Sequence, residues 1–334
     1  VAQSQSRCLV TGGAGFIGSH VIDRLVSMGH EVRVLDNLST GSRDNLAHLG
    51  DTIEFVQGDI CDSETCRAAV DGVDVIYHLA ALASVPRSLK DPWGSHDANV
   101  NGTVKLLQEA VKAGVRRVVY SSSSSVYGDT AVLPKVESVE PLPRSPYAAQ
   151  KLASEQYVLA YARASLIEGV ALRYFNVFGP RQSPSSAYAA VIPLFMAAAL
   201  EGRTATIFGD GLQTRDFTYV DNVVQANILA GTRPAEIVSG HPVNVGAGER
   251  TSLRELASLI AAQSGRPLNY ECTAPRAGDV RDSQASLERV TQLLGYAPDV
   301  RLAEGLRRTW EWFSSSERTE SAELTGAAGG ARAS

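Results

Sequence analysis

Arg7-Cys8-Leu9-Val10-Thr11-Gly12-Gly13-Ala14-Gly15-Phe16-Ile17-Gly18 is the stretch from which the fold is read. Arg7–Thr11 has the composition of a buried strand. Glycines then recur at three-residue spacing, and a helical pattern runs from Gly18 to Met28 and stops at Gly29. Each glycine answers a physical demand. Gly12 permits a tight turn, Gly15 lets backbone approach a diphosphate, and Gly18 lets helix and strand pack closely. The free N–H groups of the helix N-terminus then face the anion. Glycine spacing alone is a weak signal; here a strand precedes it, a helix follows, and an acid closes the next strand.

That acid is Asp36, at the end of the strand expected over Val32–Asp36. A carboxylate there accepts from both adenosine ribose hydroxyls and repels a 2′-phosphate, which predicts NAD rather than NADP. Arg43 is the nearby group that opposes this choice. Asp59 follows the strand Ile53–Gln57 and Gly58, where it can meet an adenine amino group.

Further strands are expected at Val73–Ala80, Arg117–Ser122 and Val170–Tyr174, with a helix over Asn99–Ala113. Strands alternating with helices imply a parallel sheet covered on both faces. The expected fold is α/β: a Rossmann-type doubly wound parallel sheet over 1–176, to which later segments return. From 177 to 313, Pro and Gly punctuate helical segments at Ala189–Leu200, Asp221–Ala230 and Ser252–Gln263. This predicts a smaller mixed α/β substrate lobe. The tail 314–334 has almost no apolar residues and is expected to be disordered.

With 44% hydrophobic and 20% charged residues the chain reads as an ordinary globular protein. Its net charge of −5 and lack of a basic stretch argue against nucleic-acid or membrane partners. No apolar run reaches spanning length and residues 1–6 do not resemble a signal peptide, so a cytoplasmic location is expected. Cys8, Cys61, Cys66 and Cys272 form no metal-like or redox pair, and the histidines have no ligand spacing. No metal site is expected.

The chemistry lies in Ser121–Ser125, which run into Val126-Tyr127-Gly128, and in Tyr147-x-x-x-Lys151. Tyr147 and Lys151 are one helical turn apart and share a face. A serine, a tyrosine and a lysine around one substrate hydroxyl can move its proton.

Gly12-x-x-Gly15-x-x-Gly18, Asp36-Asn37, Asp59-Ile60, His78-Leu79-Ala80-Ala81, the serine run, Tyr147-x-x-x-Lys151 and Arg173-Tyr174-Phe175-Asn176 together resemble the extended short-chain dehydrogenase/reductase family, within it the nucleotide-sugar 4-epimerases. The resemblance covers Arg7 to Phe313. It implies a tightly held, recycled NAD touched by Gly12, Gly15, Phe16, Ile17, Gly18, Asp36, Asn37, Ser39, Thr40, Gly41, Asp59, Ile60, Leu79, Ala80, Ala81, Asn99, Tyr147, Lys151 and Tyr174. Tyr147 becomes the catalytic base, Lys151 holds the nicotinamide ribose, and both Lys151 and the positive nicotinamide favour the phenolate. The family pattern counts four residues back from Tyr127 to Ser123, the partner of the reacting oxygen, and Ser125 faces the sugar.

For the substrate, the resemblance assigns Asn176 to phosphate or hexose, and Arg215 and Arg276 to a diphosphate. Arg181, Gln182, Ser84, Arg87 and Asp279 are expected around the hexose. Ser283 stands where epimerases restricted to UDP-glucose and UDP-galactose carry a tyrosine. A small residue there leaves room for a 2-acetamido group, which predicts UDP-GlcNAc and UDP-GalNAc, with the plain hexoses alongside. Dehydratases of the family resemble one another in a Thr-Asp-Glu before Val-Tyr-Gly, and decarboxylases keep the Glu. Ser123, Ser124 and Ser125 replace all three, removing the carboxylates that elimination needs. The expected activity is therefore C4 epimerisation through a 4-keto sugar. The alternatives are a 4,6-dehydratase, decarboxylase or reductase, or a non-catalytic NAD-binding regulator. A homodimer is expected through Asn99–Ala113 and the helix Tyr147–Ala164, which carry apolar residues on more than one face.

Overall fold

The computed structural model describes residues 5–184, 190–275 and 280–329, with backbone alone from 316 to 329. In the first half, six strands alternate with helices: β1 (Arg7–Thr11), α1 (Phe16–Ser27), β2 (Glu31–Asp36), β3 (Ile53–Gln57), α2 (Ser63–Val70), β4 (Val75–His78), α3 (Val85–Lys90), α4 (Pro92–His96), α5 (Gly102–Lys112), β5 (Arg117–Ser123), α6 (Pro146–Arg163) and β6 (Glu168–Tyr174). The second half holds β7 (Val177–Phe178), α7 (Val191–Glu201), β8 (Ala205–Phe208), β9 (Thr214–Arg215), β10 (Thr218–Tyr219), α8 (Val220–Thr232), α9 (Ala235–Val238), β11 (Pro242–Val245), β12 (Thr251–Ser252), α10 (Leu253–Ser264), β13 (Tyr270–Thr273), α11 (Glu288–Leu294) and α12 (Leu302–Gly329).

Seven strands form one parallel sheet in the order β11-β6-β5-β4-β1-β2-β3. β11 comes from the second half and completes the sheet beside β6, so later chain does return to the first half. Alternation fills both faces. Cys8, Val10, Val32 and Val34 face a core shared with α1 and α8. Leu9, Leu35, Ile76 and Val118 face another, closed by α2, α5 and α6. The strand order reverses between β1 and β4, and there the carboxyl ends of the strands open a crevice.

The expected strands and helices appear with shifts of a few residues. The strand predicted over Val73–Ala80 ends at His78 because Leu79, Ala80 and Ala81 leave the sheet to line the crevice. The helix predicted from Asn99 begins in a π-wound turn over Asp97–Asn101. α6 starts where Pro146 fits the first turn and the Ser145 side chain accepts from Ala148 N. The smaller lobe is built on three two-stranded pairs, β7–β10, β8–β13 and β9–β12.

Of the stretch 314–334, expected to be disordered, α12 takes in 314–329. Glu317, Arg318, Glu320, Ala322, Glu323 and Leu324 are good helix formers. Low apolar content argues against a core, not against a helix. No helix among the described residues is long and apolar enough to cross a membrane.

Candidate active site

The crevice holds two adjoining cavities, and a third opens beside them in the smaller lobe. The first, about 270 Å³, is lined by Gly12, Gly15, Phe16, Ile17, Gly18, Asp36, Asn37, Ser39, Thr40, Asp59, Ile60, Leu79, Ala80, Ala81, Tyr147, Lys151 and Tyr174. Gly12 has φ +68°, and a Cβ there would lie 2.6 Å from Ala80 N, so both conformation and space require glycine. A Cβ on Gly18 would strike the Gly12 backbone, and one on Gly41 would lie 2.7 Å from Ala14 O. Gly41 thus supports the glycine turn from behind. Asp36 is buried at the end of β2, where its carboxylate accepts from Ala14 N at 2.9 Å and Leu38 N at 2.8 Å. This fixes an acceptor at the cavity edge beside a bare-backbone cradle, an arrangement that fits the ribose and diphosphate of a dinucleotide. Asn37 donates to Asp59 at 2.8 Å and orders the far end. Arg43 is held over the Phe55 ring, 4.2 Å from its centroid, with Nη2 3.4 Å from Gln57 Oε1.

The serine run is divided by the pleat of β5. Ser121 offers its carbonyl to Lys151 Nζ at 2.7 Å. Ser122 donates its hydroxyl to Glu155 Oε2 at 2.6 Å. Ser123 accepts from Ser125 N at 3.2 Å and from Ser125 Oγ at 2.9 Å, and its hydroxyl also bonds Tyr147. Gly128, at φ +61°, ends the following turn with no room for a Cβ beneath Leu142 O. Tyr147 is anchored through its backbone N–H, which donates to Ser88 Oγ at 3.0 Å.

Burial sets the titration of this group. It pushes the Tyr147 hydroxyl up to about 12, and the Ser123 hydrogen bond opposes that rise. It pulls Lys151, 3% exposed, down to about 7. The expected lowering of Tyr147 by Lys151 is therefore not a property of the protein alone. Burial is the dominant influence on Tyr147.

The second cavity, about 430 Å³, adjoins the first at Tyr147 and Tyr174. Ser122–Ser125, Lys135, Arg144, Asn176, Arg215 and Ser283 line it. Among the described lining residues there is no carboxylate. Asn176, at φ +21°, donates from Nδ2 to Ser283 Oγ and to Asp216 O, each at 3.4 Å. The third cavity, about 230 Å³, shares Asn176, Val177 and Arg215 with the second and runs between Gln182, Phe195, Phe208, Gln213 and Phe217.

A model of the NAD dependent epimerase/dehydratase family matches residues 8–246. The chain belongs to that family. The UDP-glucose 4-epimerase of Mycolicibacterium smegmatis is 45% identical over 316 residues, 93% of this chain and 100% of that protein. The solved UDP-N-acetylglucosamine 4-epimerase from Methanobrevibacter ruminantium, in complex with UDP-N-acetylmuramic acid, is 37% identical with a TM-score of 0.88, covering 94% of this chain and 100% of that one. The Thermus thermophilus UDP-glucose 4-epimerase complex with NAD is 35% identical with a TM-score of 0.85, covering 92% and 99%. NAD is the cofactor of this epimerase/dehydratase family member.

Several residues expected at the site of this family member lie elsewhere. Asn99 lines none of these three cavities; it accepts from Leu82 N at 2.8 Å and donates to Gln150 Oε1 at 2.9 Å, and so positions the Leu82 segment of the cofactor wall. Ser84 caps α3 by accepting from Arg87 N at 3.1 Å, and neither residue lines any of the three cavities. Arg181 turns to Asp23, 2.6 Å away, instead of the hexose cavity. Arg181 sits at φ +66°, and the next residue, Gln182, lines the third cavity. Arg276 and Asp279 lie outside the described residues.

Three supporting groups escaped the sequence reading. His78 is fully enclosed and pushed down to about 3 by burial, hence neutral. Thr103 Oγ1 donates to Asn99 O, so it accepts from His78 Nε2–H at 2.9 Å; Nδ1 then accepts from Thr11 Oγ1 at 2.7 Å, and Ala80 N donates to Thr11 Oγ1. This directed chain fixes the Gly12–Ala80 approach. Glu155 and Arg173 form a buried ion pair behind the serines. Asp216 accepts from Ala247, Gly248 and Ala285 N–H groups, and burial raises it to about 6. The sequence signal for Glu155 was available: it lies one further turn beyond Tyr147 and Lys151 on a buried face.

Proposed function

We propose that the protein interconverts C4 epimers of UDP-hexoses through a transient 4-keto sugar, with UDP-GlcNAc and UDP-GalNAc as the main pair and UDP-glucose and UDP-galactose also accepted. The observation that carries this reading is the catalytic cavity itself. Ser123, Ser124 and Ser125 stand beside Tyr147, and no carboxylate lines the cavity among the described residues. Tyr147 can deprotonate and reprotonate a hydroxyl there, while elimination of water lacks the carboxylates that would serve it.

Tyr147 takes the proton of the C4 hydroxyl, and Ser123 holds the reacting oxygen against it. Lys151, pinned to Ser121 O, faces the cofactor cavity and holds the nicotinamide ribose. NAD, when bound, supplies the redox chemistry at C4 and a positive ring that favours the Tyr147 phenolate. Asn176 and Arg215, at the mouth between the second and third cavities, hold the diphosphate. The nucleoside occupies the third cavity, so the hexose swings on a fixed nucleotide and both faces of the keto sugar can return to the cofactor.

Ser283 supports the acetamido preference. It is 8% exposed, lines the hexose cavity, and accepts a long bond from Asn176. A tyrosine there would fill space that the serine leaves for the 2-substituent. The reading also includes a homodimer through α5 and α6. Val100, Leu107 and Leu159 pack inward, while Tyr157 on α6 is 44% exposed and available to a second copy.

The test is to incubate purified protein with UDP-GlcNAc and with UDP-glucose and to resolve products by proton NMR. The C4 epimer is expected from both, faster from the acetylated sugar. Loss of substrate as a dehydrated sugar contradicts the reading.

A further inference from the structure

The 280–283 segment is a partition. Val280 and Ser283 line the catalytic cavity, and Val280 and Arg281 line a fourth cavity of about 510 Å³. Val280 faces both, so the segment has open space on each side. Proton transfer at Tyr147 uses neither this partition nor the groups that hold it.

Two sets of bonds hold the partition. Toward the smaller lobe it runs beside β9: Thr214 N donates to Arg281 O at 3.2 Å, and Ser283 N donates to Thr214 O at 3.1 Å. The Arg281 guanidinium adds two bonds to the Asp210 carboxylate, at 2.8 and 3.0 Å. Toward the serine run one carboxylate reaches it. Asp129 follows Gly128, where the turn after Ser125 ends. Its Oδ1 accepts from Arg281 N at 3.0 Å, and its Oδ2 accepts from Arg144 Nη1 at 3.0 Å. Arg144 lines the catalytic cavity and precedes Ser145, the cap of the helix that carries Tyr147. Asp129 therefore joins three pieces of the cavity rim: the turn beyond the serines, the approach to α6 and the partition. The Asp129 side chain is 32% exposed and that of Arg144 56%. Bonds at such a rim exchange readily with water and open at modest cost. The backbone bonds to β9 do not depend on them, so the partition can part from Asp129 and stay attached to the smaller lobe.

We propose that Asp129 latches the 280–283 segment across the catalytic cavity and so retains the 4-keto sugar between oxidation and return reduction. The inference rests on the UDP-hexose reading and adds a positioning residue to it. Oxidation at C4 sends the carbon's hydride to the nicotinamide and the hydroxyl proton to Tyr147. A keto sugar that escapes at that point leaves the cofactor reduced with no ketone to take the hydride back. Each escape therefore yields one free keto sugar and one protein locked with reduced cofactor.

NAD-loaded wild type, Asp129→Ala and Arg144→Met are incubated with UDP-GlcNAc. Nicotinamide absorbance follows reduced cofactor, and proton NMR follows the C4 epimer and the free keto sugar. Wild type is expected to form the epimer while its cofactor stays oxidised. Asp129→Ala should begin turnover and then stall, accumulating reduced cofactor and keto sugar in equal amounts about 10-fold faster than wild type. Arg144→Met cuts only the Oδ2 bond and should leak in lesser measure. NAD content and thermal unfolding check that each variant folds; if Asp129→Ala does not, Arg144→Met decides. A loss of rate without reduced cofactor, or a leak no faster than that of wild type, overturns the latch. Failure of wild type to form any C4 epimer overturns the UDP-hexose reading and the latch with it, whereas epimer formation with no leak in the variants overturns only the latch.

Discussion

Arg173 Nη2 lies 2.6 Å from Glu155 Oε1 and Arg173 Nε lies 3.0 Å from Oε2, with both side chains shut away from solvent. The Ser122 hydroxyl donates to the same carboxylate at 2.6 Å. The pair therefore ties β5, β6 and α6 together one residue from Ser123 and one turn from Lys151. Glu155→Gln leaves the guanidinium buried and uncompensated, a change that costs about 3–5 kcal/mol. Denaturant unfolding of wild type and variant should show that loss. Glu155→Gln/Arg173→Met should recover part of it, because no unpaired charge remains.

Tyr147→Phe removes the proton acceptor and keeps the ring. Turnover should fall by about 10²–10⁴-fold with NAD still bound, read from nicotinamide absorbance of the purified protein. Retained turnover rejects Tyr147 as the base. Ser123→Ala should lower kcat with little change in KM, whereas Ser124→Ala should be mild, since Ser123 bonds Tyr147.

Ser283→Tyr fills the space beside Asn176. kcat/KM for UDP-GlcNAc should drop by about 10-fold or more relative to UDP-glucose. Equal losses on both substrates remove Ser283 from the basis of specificity.

Asp216 gives a pH test. Its folded value is raised to about 6 from an ordinary 3.8. Between these values the folded protein holds a proton that the unfolded chain has released. That contribution to stability is full below about 4 and is lost as pH rises through 6. Relative to Asp216→Asn, which does not ionise, wild type should lose thermal stability from pH 4.5 to 7. A constant difference in Tm contradicts the assignment.

The frame was legible because its signals are local. Strand, glycine turn, helix and Asp36 lie within thirty residues, and each acts through backbone geometry that the residue type dictates. Tyr147 and Lys151 were brought together by helical spacing, and of the five serines it is the Ser123 hydroxyl that meets Tyr147. The directions of the Arg181 and Arg87 side chains were not legible, since a motif gives sequence order but not the direction of a side chain. Arg181 sits at positive φ and is drawn to Asp23. His78 and Asp216 were missed because their partners are far along the chain, as with Asp216 and Ala285.

Oxidation and return reduction at C4 by one retained cofactor is the step on which the proposed activity stands. Protein purified without added NAD is incubated with UDP-GlcNAc in deuterium oxide and followed by proton NMR. UDP-GalNAc should approach equilibrium with hydrogen retained at C4, since that hydrogen stays in the site throughout. Accumulation of a 4-keto or dehydrated sugar, or a strict requirement for stoichiometric added NAD, would refute the proposed cycle.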